Sequence, residues 1–432
     1  VGREVTDIVD LAHDGRGVAR VDGKAVFIAG ALPGERVSFH TIRRRRQMDE
    51  AALGEVLIPS PDRVAPKCAH FGICGGCTLQ HLSPPAQLAA KQRQLLETLE
   101  RIGRVRPERI LEPVQGPHWA YRRRARLGVK YVHKKGRVLA GFREREKPYL
   151  ADIQRCEILI DRFAELPRKL AALVETLTIR DKMPQVELAA GDGEAALVFR
   201  VLEAPSPEDL RGMAAFGIEV GAQVYLQSGG LDTIRPLGAD PVPLHYAAGG
   251  AMVIEFGPSD FIQVNHEVNL AMVALAIEQL APTPQDSVLD LFCGLGNFSL
   301  PLARRAARVL GVEGDSALVA KAAANAARNG VGNAAFTREN LFEPAKFGAW
   351  AAERYDLVLL DPPRAGASEI LERMPQWHPR RVVYISCHPG SLARDAGILA
   401  QTHGFKLIGA GVMDMFPHTT HVESIAVFES CK

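Results

Sequence analysis

The sequence predicts a multi-domain α/β protein: a small β-barrel over residues 1–60, a central α+β domain with a cysteine site over 61–245, and a cofactor-binding α/β domain over 246–432. Part of 84–120 is expected to pack on the last of these. Three observations carry this reading. Short alternating apolar runs crowd the first 60 residues, strand and helix patterns alternate after Tyr246, and between them stand four cysteines and a dense run of basic residues.

A chain of 432 residues with 47% hydrophobic content can bury more than one core. No apolar run approaches the ~20 residues that span a bilayer. No charged segment followed by an apolar one marks the amino terminus for export, so a soluble cytoplasmic protein is expected. Seven cysteines in so long a chain do not resemble the dense pairing of small secreted domains, which points to metal binding or catalysis. The net charge of +2 conceals an asymmetry, because Lys91 to Lys147 holds 17 Lys/Arg against 6 Asp/Glu and the remainder is at about −9. A local field of that sign suits a polyanion such as nucleic acid, although a solvated charged face has the same composition.

The runs Val5 to Leu11, Gly17 to Val21, Ala25 to Ile28, Arg36 to His40 and Ala52 to Ile58 are separated by Gly, Pro and Asp turns. Five short strands in so few residues make a small barrel. Its 9 basic and 9 acidic residues balance, and the contiguous Arg43, Arg44, Arg45 and Arg46 are expected on one loop. Gly15-Arg-Gly-Val-Ala-Arg20 followed by Val26-Phe-Ile-Ala-Gly-Ala-Leu-Pro-Gly-Glu35 resembles the TRAM domain, an OB-like RNA-binding barrel.

Next comes Cys68-x5-Cys74-Gly-Gly-Cys77, with a fourth candidate ligand, Cys156, far downstream. Three thiols so close, with glycines that let the backbone wrap, can converge on one centre that a distant fourth completes. Soft thiolates fit zinc or an iron-sulfur cluster, and spacing alone does not separate them. The spacing is similar to that of the [4Fe-4S]-containing 5-methyluridine RNA methyltransferases, and the resemblance implies such a cluster in a structural role. Pro84 to Ile102 carries leucines at helical period. A basic hairpin follows, in which Ala125, Leu127, Val129 and Tyr131 alternate with Arg124, Arg126 and Lys130 before a return strand from Arg137 to Arg143. One face is apolar and the other cationic, which suits phosphate contact. From about 160 to 245 a helix and alternating strands (Gln185 to Leu188, Ala196 to Val201, Val224 to Gln227) show no chemistry that can be named.

In the last part, Val288-Leu-Asp-Leu-Phe-Cys-Gly294-Leu-Gly296-Asn297 reads as a buried strand entering a glycine turn, with a helix from Phe298 to Ala307 behind it. A second strand, Arg308 to Val312, ends at Glu313, and Asp315 to Asn329 is a helix stopped by Gly330. Glycines permit close approach to a ligand, and an acid after the second strand can accept ribose hydroxyls. The turn lacks the third glycine that pyrophosphate packing favours, which argues against a dinucleotide oxidoreductase. The motif resembles the Rossmann-like class I S-adenosylmethionine methyltransferases. Tyr355 to Leu360 is a further strand, and it delivers Asp361, which Pro362 and Pro363 hold rigid.

Val382 to Ile385 is a short apolar run that delivers Cys387 to the carboxyl end of a buried strand, where an open α/β sheet has its ligand crevice. By residue type a buried core thiol is the commoner reading. Its company changes that, because a glycine-turn site precedes it and Glu423 follows. C5 of uracil is too poor a nucleophile to attack a sulfonium methyl, but thiolate addition at C6 makes it one. A base must then remove the C5 proton so that the thiol can leave.

Together these motifs resemble the TRAM-containing, iron-sulfur 23S rRNA 5-methyluridine methyltransferases over essentially the whole chain. The resemblance implies Cys387 as nucleophile, Glu423 as general base, and Gln263, Phe292, Gly294, Asn297, Glu313, Asn340 and Asp361 around S-adenosylmethionine and the uracil. Gln263 lies in Phe261-Ile-Gln-Val-Asn265, expected as a short strand. The resemblance also implies Cys68, Cys74, Cys77 and Cys156 as cluster ligands, a flipped uridine of 23S rRNA as substrate, and a monomer. His388 departs from the pattern, since many relatives carry Asn there. A tRNA 5-methyluridine enzyme shares the cysteine and glutamate, and an RNA-binding or chaperone module with a vestigial cofactor fold is the non-enzymatic alternative.

Overall fold

The computed structural model describes residues 4–249 and 251–431. Strands β1 (Glu4–Leu11), β2 (Arg16–Val21), β3 (Lys24–Ala29), β4 (Arg36–Arg44) and β5 (Met48–Ile58) close into a barrel in the order β1-β2-β3-β5-β4. Pleat alternation turns Ile8, Ala19, Val26, Ile28, Val37 and Phe39 inward, and closure leaves no unpaired edge. The four arginines do not share a loop. Arg43 and Arg44 extend β4 because they sit opposite Glu50 and Asp49 of β5, and only Arg45 and Arg46 turn.

Helix α1 (Pro84–Thr98) runs into a π-helical turn, Leu99–Gly103. Its Leu88, Leu95 and Leu99 are buried with Leu392, Ala396 and Val412 of the C-terminal part, each worth about 1.5–3 kcal/mol. Gly103 permits this approach, since a Cβ there would overlap the Ala393 carbonyl. Buried Lys91 donates to Asp414 Oδ1 at 2.7 Å and to the Phe416 carbonyl at 2.9 Å. Leaving one partner of such a pair alone costs about 3–5 kcal/mol. Strand β6 (Arg109–Ile110) then joins the C-terminal sheet at its edge.

The central sheet contains β7 (Arg124–Val132), β8 (Arg137–Gly141), β9 (Gln185–Ala190), β10 (Ala195–Arg200), β11 (Gln223–Gln227) and β12 (Arg235–Pro236), in the order β12-β11-β10-β9-β7-β8. Helix α2 (Leu166–Thr176) packs on β8 and α3 (Pro207–Val220) on β11. The alternating runs do not announce α3, but Ser206 and Asp209 form the capping box that starts it. Ala125, Leu127 and Val129 of the hairpin point inward. Its cationic face is partly neutralised, because Arg124 and Arg126 both pair with Glu187 of β9, at 3.5 and 2.9 Å.

A hairpin of β13 (Leu244–Ala248) and β14 (Met252–Phe256) and helix α4 (His266–Leu280) lead into the C-terminal sheet. Its elements are β15 (Ser287–Leu291), α5 (Ser299–Ala303), β16 (Arg308–Glu313), α6 (Ser316–Arg328), β17 (Ala334–Arg338) and β18 (Leu357–Leu360), then two single-turn helices, α7 (Ser368–Leu371) and α8 (Met374–Trp377). Strands β19 (Arg381–Ser386), β20 (Phe405–Met413) and β21 (Glu423–Ser430), with α9 (Pro389–Gln401), complete it. Strand order is β17-β16-β15-β18-β19-β21-β20-β6, with β21 antiparallel to both neighbours. The order reverses at β15, so the crevice beyond that strand is the expected ligand site.

Three expectations change here. The helix after the glycine turn is only Ser299–Ala303, because the Ala307 N–H is taken by the Asp286 carbonyl instead of continuing the helical ladder. Phe261 to Asn265 is irregular, with Asn265 alone bridging to Arg122. Strand β20 was not expected, since Gly409 and Gly411 interrupt its pattern; both sit against Leu111, where a Cβ would come within 3.2 and 2.9 Å. No helix among the described residues is long and apolar enough to cross a membrane.

Candidate active site

Because β21 runs antiparallel to β19, its first residue lies at the edge where the parallel strands end. Ile385 faces Ile425 and Ser386 faces Ser424, the last pair of the register, so Cys387 and Glu423 stand directly beside that pair and near enough for their charges to interact. The Ser424 hydroxyl donates to the Ser386 carbonyl at 3.1 Å and pins that register. Asp361 follows β18, the neighbouring strand on the other side of β19, so one thiol and two carboxylates meet at one sheet edge.

Their charges act on one another. Burial, then Glu423 and Asp361, push the Cys387 thiol up to about 11, with Arg364 opposing. Burial and Asp361 hold Glu423 well above the ordinary carboxylate range, again against Arg364. Burial raises Asp361 to about 7. A carboxylate held high is a stronger base once ionised, and a thiol held high needs an acceptor for its proton when it attacks. Asp361→Asn should therefore move the pH profile of Cys387 alkylation, followed by mass spectrometry of its peptide, to lower pH. Removing a like charge favours the thiolate, and the effect should appear above the pH at which Asp361 ionises. An unmoved profile would show that the carboxylate does not act on the thiol.

Cys387 opens into a cleft of about 650 Å³ walled by all three parts of the chain. The barrel contributes His13, the cysteine loop Gly75, Gly76 and Thr78, and α1 Gln94 and Thr98; Arg364, His388, Thr420 and His421 come from the C-terminal part. Burial, then Arg364, push His421 down to about 4, so its neutral Nδ1 accepts from Arg364 Nη2 at 3.1 Å. Arg364 was not singled out from the sequence; its one signal is its place directly after the two prolines that fix Asp361. His388 is the N-cap of α9, its Nδ1 accepting the Ser391 N–H at 3.1 Å. An asparagine side chain can fill the same role, so the departure at this position leaves the helix start intact.

At the crevice beyond β15, Phe292 has φ +65°, a strained conformation for a side-chain-bearing residue, and Gly294 and Gly296 follow at +54° and +90°. Open space lies where a Cβ on Gly294 would stand. The Glu313 carboxylate accepts from the N–H groups of Gly294 (3.1 Å), Gly314 (2.7 Å) and Asp315 (3.1 Å), which aims it across the glycine turn. Gln263 is half-buried and makes no side-chain hydrogen bond among the described residues, so its amide is available to a ligand. Asn340 is exposed and bonded within its own turn, to Glu343 at 2.6 Å and to the Phe342 N–H at 3.2 Å, while Phe342 packs on Phe292 with centroids 5.8 Å apart. The Asn297 side chain instead exchanges hydrogen bonds with Asn269 at 2.9 and 3.1 Å and accepts from Tyr246 at 3.1 Å, bracing the turn from behind. Asp290 was not named from the sequence, although an acid inside an apolar strand is a signal. It is buried, bonded to the Ser299 hydroxyl, and raised to about 7 by burial and by Asp361 and Glu313.

Cys68, Cys74, Cys77 and Cys156 line one small pocket with Phe142, Ile153 and Ile158. Burial, reinforced by the charges of the other cysteines, pushes Cys74 up to about 11 and Cys77 to about 12, and raises Cys156. Thiolates there need a cation. No group of three His, Cys, Asp or Glu among the described residues is gathered as a single metal ion requires.

Comparison with known proteins bears on the family and the fold. Residues 246–430 match the family model described as tRNA (Uracil-5-)-methyltransferase, and residues 1–40 match that of the TRAM domain. The chain is 50% identical to the 23S rRNA (uracil(1939)-C(5))-methyltransferase of Methylococcus capsulatus, over 98% of its own length and 96% of the relative's. It is 51% identical to the protein of the same description from Alkalilimnicola ehrlichii, over 98% and 95%. Among solved structures, the Pyrococcus abyssi tRNA (uracil-54, C5)-methyltransferase in complex with S-adenosyl-L-homocysteine shares the fold, with a TM-score of 0.76 at 24% identity over 99% of this chain and 100% of that one.

Proposed function

The chain belongs to the family of 23S rRNA (uracil-C5)-methyltransferases, and on that premise we propose that it methylates C5 of one 23S rRNA uridine, the position numbered 1939 in its relatives. S-adenosylmethionine is the methyl donor. The observation that supports the reading is the register of β19 and β21, whose last pair, Ser386 with Ser424, stands directly beside Cys387 and Glu423, with Cys387 on the wall of a cleft of about 650 Å³. The Cys387 thiol loses its proton to water and adds to C6 as the thiolate, and the C5=C6 pair moves toward O4. C5 then attacks the sulfonium methyl and S-adenosylhomocysteine departs. Glu423 takes the C5 proton, the double bond re-forms, and the thiolate is expelled. Arg364, which lines this cleft, offsets charge on the thiolate and on Glu423.

In this reading the Phe292–Asn297 turn cradles the methyl donor. Glu313 accepts its ribose hydroxyls, Gln263 and Asn340 border it, and Asp361 stands between donor and uracil. The uridine leaves its stack to reach the thiol, since neither reacting carbon is open inside a helix. All three parts of one chain line the cleft, which suits a monomer acting on ribosomal RNA in the cytoplasm. RNA carrying 5-fluorouridine tests the chemistry, because fluorine at C5 cannot leave as a proton. An SDS-stable protein–RNA adduct is expected, and its absence would rule out addition at C6. Mapping 5-methyluridine in rRNA from cells lacking the protein should find one unmodified position.

We also propose that Cys68, Cys74, Cys77 and Cys156 hold a [4Fe-4S] cluster, which when bound ties the cysteine loop to the central sheet. Cys156→Ser should lower the iron, the acid-labile sulfide and the visible absorbance of anaerobically purified protein. Full retention of all three would remove Cys156 from the ligand set.

A further inference from the structure

We propose that His418 is a positioning residue that sets Glu423 for removal of the C5 proton, and that the cysteine loop holds His418 in place. The inference rests on the reading of Cys387 as nucleophile and Glu423 as base. Glu423 makes no side-chain hydrogen bond among the described residues, so its aim depends on the backbone to either side of it. On one side that is the register with β19. On the other, the chain returns from β20 through Asp414 to Val422, which has no regular secondary structure, with His418 at its middle.

His418 is buried and has φ +65°, a conformation that costs a side-chain-bearing residue about 1–3 kcal/mol unless its surroundings enforce it. Here they do. Its N–H donates to Gln87 Oε1 at 2.8 Å, and its carbonyl accepts from the N–H groups of Thr78 and Leu79 at 2.8 and 2.9 Å. Its ring stacks on Trp119 with centroids 3.8 Å apart, and Gln87 Nε2 lies 3.2 Å from its Nδ1. Three parts of the chain, α1, the cysteine loop and the approach to the basic hairpin, thus grip one residue five positions before the base. Thr78 directly follows Cys77, and Gly76 lines both the four-thiol pocket and the catalytic cleft. The loop carrying the thiols is therefore a common wall of both sites and the support of His418.

Glu423 acts only after the methyl group has been transferred. Loosening His418 should slow release of the adduct and leave thiol attack and methyl transfer nearly intact, whereas general destabilisation would lower all steps together. With a radiolabelled methyl donor and an rRNA fragment, His418→Ala should methylate RNA in the first turnover within about threefold of the wild-type rate. Its steady-state kcat should fall by about 10², the scale of a misplaced catalytic group, and a labelled SDS-stable adduct should accumulate. His418→Asn, which tolerates the left-handed conformation, should recover part of the lost turnover. Gln87→Ala, outside the cleft, should reproduce the split and decides the matter if His418→Ala does not fold. Proportional loss of first-turnover and steady-state rates in the folded variants, or unchanged turnover, overturns the role of His418. If wild-type protein itself forms no adduct on 5-fluorouridine RNA, it is the reading of Cys387 that fails.

Discussion

Cys387→Ala is expected to transfer no methyl group from radiolabelled S-adenosylmethionine to an rRNA fragment, in single or multiple turnover. The loss should be complete, because without addition at C6 the uracil C5 is not nucleophilic, and neither binding nor orientation of the donor can replace that electronic change. Folding should be little affected, since the half-buried thiol stands just beyond the end of β19 and the strand's buried apolar side chains remain. Thermal unfolding near that of the wild type would show that the loss is chemical. Turnover near wild type would instead sink the covalent route and return Cys387 to the role of a core thiol.

Glu423→Gln is expected to separate the two halves of the reaction. Thiol attack and methyl transfer precede the proton removal, so the variant should methylate its RNA once and remain bound to it through the Cys387–C6 bond. Loss of a positioned base costs about 10²–10⁴ in rate, so steady-state turnover should fall by that range while labelled adduct accumulates on denaturing gels. Removing the acid also removes a negative neighbour of the thiol, so Cys387 should alkylate at lower pH than in the wild type, the same direction as for Asp361→Asn. Release of product at the wild-type rate would assign proton removal to another group, with Asp361 the nearest candidate.

Much of this site was legible in the sequence for local reasons. The glycine turn at Gly294, the acid at Glu313, the strand into Cys387 and the cysteine spacing are short patterns, each decided by torsional freedom or apolar period over about ten residues. The same logic located the five barrel strands. It misplaced Arg43 and Arg44, which cross-strand acids draw into β4, and it missed α3 and β20. The hairpin's cationic face looked free until the central sheet brought Glu187 beside Arg124 and Arg126.

By itself the sequence determined which residue types stand at the ends of which strands, and so which chemistry is within reach: a thiol, a glycine turn with an acid after the next strand, a second carboxylate, and four further thiols. Only the tertiary structure decided which of them are neighbours. Strand periodicity reports the face of a side chain and says nothing of the strand beside it, so the nearness of Cys387 to Glu423 appears only once β21 lies antiparallel to β19. Likewise α1 and the cysteine loop, more than 300 positions upstream, meet His418 because the chain docks Leu88, Leu95 and Leu99 in the C-terminal core before it builds the central sheet.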